Sequence, residues 1–172
     1  MRRLRAFFIA VIISVLATAG LALAQEDIQK YPFCKYCGMD RQKFAHSRVY
    51  IEYDDGSAMG TCSLHCAALE LALNIDKNPK KILVGDYDRK ELIDAEKAYW
   101  VMGGSKAGVM TKRAKWAFEK KEDAEKYIAK DGGQMVTFDQ AMKGTYEDMY
   151  DDTKMIRERR KMKRMKMMEE KK

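Results

Sequence analysis

The sequence predicts an α+β fold of two similar ββαβ units packed together, and three observations carry that expectation. Val49, Ile51 and Tyr53 alternate with Arg48, Tyr50 and Glu52, which is the period of a strand. Asp54-Asp55-Gly56 then supplies hairpin chemistry ahead of an Ala/Leu-rich helical stretch. The same order recurs after residue 97.

In chain order, Arg2, Arg3 and Arg5 precede an uncharged run from Ala6 to Ala24 that closes on Ala22-Leu23-Ala24. This reads as a signal peptide cleaved before Gln25, with an uncleaved membrane anchor as the competing reading. Both place the rest of the chain outside the cytoplasmic membrane. The first unit is expected at 25–86. Its first strand runs from Ser47, the hairpin leads into Ala58-Met59-Gly60, and Thr61 caps a helix from Cys62 to about Leu73. Asn74 and Pro79 mark the end of that helix, and Ile82-Leu83-Val84 supplies a third strand. The second unit, at 87–150, is expected to hold strands at 98–102 and near Val109-Met110, and a helix from about Lys121 that stops before Gly132-Gly133. Thr137-Phe138-Asp139-Gln140 is a capping box, so a last helix should follow it. Residues 151–172 form a Lys/Arg/Met-rich tail, compatible with a continued helix or with disorder.

Charge narrows the function classes. The formal net charge is +7, yet residues 25–150 hold twenty basic and twenty-one acidic side chains, while the tail holds ten and five. The body is nearly neutral. A nucleic-acid binder would carry its positive charge on the folded domain, so nucleic acid is excluded as a partner. The basic tail is suited to contact with anionic lipid headgroups, with its methionines offering a weak copper reservoir as the alternative.

All four cysteines lie between residues 34 and 66, as Cys34-Lys35-Tyr36-Cys37-Gly38-Met39 and Cys62-Ser63-Leu64-His65-Cys66. A C-x-x-C turn can aim two sulfurs at one ion, Gly38 permits the tight fold behind them, and Met39 adds a thioether. Thiolate and thioether together are the ligand softness that selects Cu(I). On a helix, Cys62 and Cys66 would share a face near the N-terminus. One four-sulfur site is then possible, and His65, bracketed by the second pair, ranks above His46 as an imidazole ligand. Three other readings stay open: a structural zinc site holding an interaction module together, two disulfides, and a thiol-disulfide oxidoreductase.

Tyr36-Cys37-Gly38-Met39, the stretch Ala98-Tyr99-Trp100-Val101, Gly108-Val109-Met110 followed by Ala117-Phe118, and Gly132-Gly133 form an ordered series from about Pro32 to Met142. This series resembles the NosL family of nitrous-oxide reductase accessory proteins, which are periplasmic copper(I) chaperones. The resemblance implies two ββαβ halves and metal ligation at Cys37, Met39 and Met110, with the ion where the halves face each other. It also implies a non-enzymatic role and a partner that receives copper, either a periplasmic metalloenzyme such as nitrous-oxide reductase or its assembly complex. Two features depart from the family pattern: the lipoprotein cysteine of many members is missing, and the pair Cys62/Cys66 is not general among them. The expected metal set is therefore Cys34, Cys37, Met39, Cys62, His65, Cys66 and Met110, holding Cu(I) or, alternatively, Zn.

Overall fold

The computed structural model describes residues 26–170, so the expected signal peptide lies outside the described residues. A short helix, α1 (Glu26–Lys30), leads through the Cys34–Cys37 loop to β1 (Val49–Tyr53), β2 (Ala58–Thr61) and α2 (Leu64–Leu73). Then come β3 (Pro79–Gly85), β4 (Leu92–Asp94), β5 (Tyr99–Met102), β6 (Lys115–Phe118), α3 (Lys121–Asp131), β7 (Gln134–Val136) and α4 (Phe138–Glu169). The fold is α+β, with two antiparallel sheets ordered β2-β1-β3-β4 and β6-β5-β7. In each, the first strand lies in the sheet interior with the next strand on one side and the strand after the helix on the other. No helix among the described residues is long and apolar enough to cross a membrane.

The local chemistry of the turns explains most boundaries. Asp55 accepts from the Ser57 amide (2.8 Å) at the β1–β2 hairpin, where Gly56 adopts φ 79°. Thr137 and Gln140 make the reciprocal capping-box bonds at the start of α4. That helix continues through the tail to Glu169.

Three expectations are corrected. The first helix begins at Leu64, with Ser63 at its N-cap, not at Cys62. Thr61 is held in the ladder opposite Val49, and its carbonyl accepts from Arg41 Nε at 3.0 Å, so the backbone turns only after it. Val109 and Met110 are not in a strand: Met110 has φ 64°, and the second strand of that sheet is Lys115–Phe118. Close packing of Gly108, where a Cβ would come within 2.8 Å of Ala114 Cα, keeps the segment a compact loop. Finally, β4 lies beyond residue 86 yet pairs with β3, extending the first sheet past the expected boundary.

At Asp86 the two sheets join. The Tyr87 amide donates to the Ala117 carbonyl at 2.8 Å, and Asp86 Oδ2 accepts from the Glu119 amide at 2.8 Å. Two hydrophobic cores form across this seam. One gathers Cys34, Cys62, Cys66, Val101, Trp116 and Phe118; the other gathers Val49, Ile51, Leu64, Val84, Trp100 and Ala117. Both draw residues from each half. The sulfur cluster is thus built into a core that the second sheet helps to close.

Candidate metal centre

The first cysteine pair sits on a turn that the backbone builds. The Cys34 amide donates to the Met39 carbonyl (2.9 Å), the Gly38 amide donates to the Cys34 carbonyl (2.8 Å), and Gly38 takes φ 74°. That conformation suits glycine and lets both side chains of the C-x-x-C turn point inward. Beneath the turn lies Arg41, wholly buried. Its guanidinium donates to the Thr61, Tyr31 and Asp27 carbonyls and, at 2.7 Å, to the Asp27 carboxylate. Asp27 also accepts from Arg48 at 2.9 Å, so α1 is tied to the base of the loop. Gly60 makes room for this cation, since a Cβ there would come 2.5 Å from Arg41 Cζ.

The second pair comes from the link into α2. Cys62 precedes the helix and Cys66 lies in its first turn. Glu70, one turn beyond Cys66 and buried, accepts from the Tyr36 hydroxyl within the C-x-x-C turn, from Tyr53 (3.1 Å) and from Asn74 (3.0 Å). One carboxylate therefore locks the loop to the helix that carries the other cysteines.

The four sulfurs converge. All Sγ atoms lie within 4.8 Å of one another, with Cys37–Cys62 at 3.3 Å and Cys62–Cys66 at 3.7 Å. A tetrahedral ion with metal–sulfur bonds of about 2.3 Å needs sulfurs roughly 3.8 Å apart, so the set needs only small adjustment to fit a metal. All four are free thiols, and Cys34, Cys62 and Cys66 are buried while Cys37 is half-buried. Their protons are shared unequally. Hydrogen bonds from Cys37, Cys62 and Cys66 pull the Cys34 thiol far below the ordinary range. Cys62 and Cys66 are pushed far above it, because each already donates to a neighbouring sulfur and burial penalises a second charge. Cys37 is lowered too, since the opposing bond with Cys34 is outweighed by bonds from Cys62 and Cys66, so the C-x-x-C turn supplies thiolate readily and a cation is needed to draw it from Cys62 and Cys66.

Cys37 opens onto a cleft of about 500 Å³ whose walls include Met39, His46, Met110 and Trp116, and, from α4, Ile156, Arg159 and Arg160. The Arg160 guanidinium donates to the Cys37 carbonyl at 3.3 Å. The structure therefore brings Cys34, Cys37, Cys62 and Cys66 into one cluster and sets Met39 and Met110 around its open side. His65 is not brought there. It is buried with Nδ1 3.7 Å from Asp152 Oδ2 on α4, and no histidine nitrogen joins the sulfur group among the described residues. The helix start at Leu64 explains this: His65 and Cys66 are successive helical residues and diverge by about 100°. His46 reaches the cleft instead, and burial and Lys90 lower its pKa, which keeps the imidazole neutral with a free lone pair. Glu70, Trp116 and the α4 arginines were not foreseen. Only Glu70 carried a readable signal, its helical spacing from Cys66.

With this geometry described, a family model named NosL matches residues 25–145. The chain belongs to the NosL family. Among solved structures, the copper chaperone NosL from Shewanella denitrificans is similar at 25% identity and a TM-score of 0.49, covering 62% of this chain and 87% of its own. No curated protein matches. In this NosL-family chain the buried pair Cys62/Cys66 lies beside Cys37.

Proposed function

We propose that this NosL-family chain is an exported, non-enzymatic copper(I) chaperone that holds one ion at the sulfur cluster and passes it to a periplasmic metalloenzyme, nitrous-oxide reductase or its assembly complex. The observation that carries this reading is the position of Cys37, which belongs to the four-sulfur group and also faces a cleft lined by Met39 and Met110. Soft thiolate and thioether donors suit Cu(I), and a half-buried ligand at a cleft is where a second molecule can reach the ion.

Transfer then follows from ligand exchange. Copper enters past the thioethers of Met39 and Met110 and is held by Cys37 with buried thiolates behind it. An incoming sulfur or imidazole of the recipient binds the ion from the cleft, Cys37 leaves, and the remaining thiolates follow, with no change of oxidation state. Signal cleavage before Gln25 and lipid contact by the tail at 151–172 belong to the same proposal. A second reading is favoured by the closeness of the four Sγ atoms, which equally suits a structural zinc ion in an interaction module.

The test is metal content and Cu(I) affinity of residues 25–172, purified reduced and anaerobic, beside Cys37→Ser and Met110→Ala. One Cu(I) bound tightly and weakened by both changes is expected. Stoichiometric zinc that depends on all four cysteines and ignores Met110 would overturn the chaperone reading and leave the structural module.

A further inference from the structure

One aromatic side chain in the cleft has no part in the ligand set above. Trp116, on β6, lines the cleft beside Met39, His46 and Met110. It is only 3% exposed and packs in the same core as Cys34, Cys62 and Cys66, whereas Trp100 lies in the other core. Neighbouring rings fix its position. The His46 ring centroid lies 5.5 Å away and that of Tyr87 5.0 Å, both tilted by 49°. This buried indole therefore shares a core with three of the thiols and a cleft with the fourth, Cys37, and with both thioethers.

We propose that Trp116 caps the cargo copper(I) ion through its ring, a cation–π contact on the cleft side of the sulfur site. This rests on the copper(I) reading above. Indole has the strongest cation affinity of the aromatic side chains, the contact strengthens with desolvation, and this ring is itself buried. Low-coordinate Cu(I) leaves part of the ion open on the cleft side, and a ring beside it limits contact with water and oxidants; because the ring contributes no donor atom, a recipient ligand arriving through the cleft can displace it. Arg159 and Arg160 in the same wall place positive charge nearby, so attraction from a neutral ring also offsets part of their repulsion.

The chain has two tryptophans, which gives a direct readout. Trp100 belongs to the other core, so in Trp100→Phe all indole emission comes from Trp116. Anaerobic titration of this variant with Cu(I) should quench its emission in step with binding of the first equivalent, whereas Zn(II) should leave it nearly unchanged. In the otherwise native chain, Trp116→Leu should weaken Cu(I) about tenfold and speed air oxidation of the bound ion, with Trp116→Phe in between. Emission that stays constant to saturation, or a Leu variant that binds as tightly as the parent, would overturn the capping role while leaving the chaperone reading intact. Failure of the parent to take up Cu(I), or uptake indifferent to Cys37→Ser and Met110→Ala, would overturn both.

Discussion

The two hydrophobic cores are neighbours built from alternate residues of the same strands, yet they are finished differently. On β5, Trp100 enters one and Val101 the other; on β6, Ala117 enters the first, and Trp116 and Phe118 the second. In the Trp100 core the indole is hydrogen-bonded and the companions are aliphatic or aromatic. The sulfur core gathers four thiols, one of them half-buried at a cleft, and its indole, Trp116, packs against the rings of His46 and Tyr87. One core is filled chiefly with apolar side chains. The other gathers buried thiols, whose burial a bound ion can offset.

The largest expected effect separates these roles. Trp100→Ala should lower folding stability by about 4 kcal/mol in urea titrations, with metal affinity of the folded fraction unchanged. Cys66→Ser should do the reverse: apo stability should fall by about 1 kcal/mol, but most of the stabilisation given by saturating metal, about 4 kcal/mol at a thousandfold excess over Kd, should vanish. Equal behaviour of the two variants would end the division of labour between the cores.

Glu70→Gln comes next, because it weakens the charged clamp on Tyr36 and Tyr53 at a buried position. A loss of about 2 kcal/mol is expected, together with lower metal affinity, since the C-x-x-C turn is released from α2. Loss of stability at constant affinity would show that the clamp serves only the fold. A smaller, pH-dependent contribution lies at Asp148 on α4. Burial alone would raise its pKa, but bonds from Arg113 (2.8 Å) and Lys115 outweigh that and hold the carboxyl below its usual range. Because the folded pKa is depressed, this contribution is present above the unfolded value of about 3.9 and is lost as pH falls through the folded one. Urea midpoints against pH should therefore fall less steeply on the acid side in Asp148→Asn. The least expected change in stability is for Arg160→Ala, within about 0.5 kcal/mol, since this side chain is exposed. Copper transfer to a competing chelator should nevertheless quicken, because the bond from α4 to the Cys37 loop is gone.

Some of the fold was legible because it depends on local chemistry. The hairpin at Asp54-Asp55-Gly56, the stop of α3 at Gly132 and the capping box at Thr137 each rest on residues within four positions of one another. The expected strand at Val109-Met110 failed for the opposite reason. Apolar character suggested an extended segment, but the contact of Gly108 with Ala114 and the positive φ of Met110 are consequences of packing. Cys62 likewise looked helical until the ladder with β1 claimed Thr61.

The sequence alone determined the kind of ligand, because two closely spaced cysteine pairs and a nearby thioether define a soft donor set whatever the fold around them. Only the tertiary structure decided which donors meet. It turned His65 toward Asp152, brought Met110 across from the other half, set Trp116 and His46 in the cleft, and laid α4 along its wall. Those positions depend on contacts between residues tens of positions apart, and no local periodicity records such contacts.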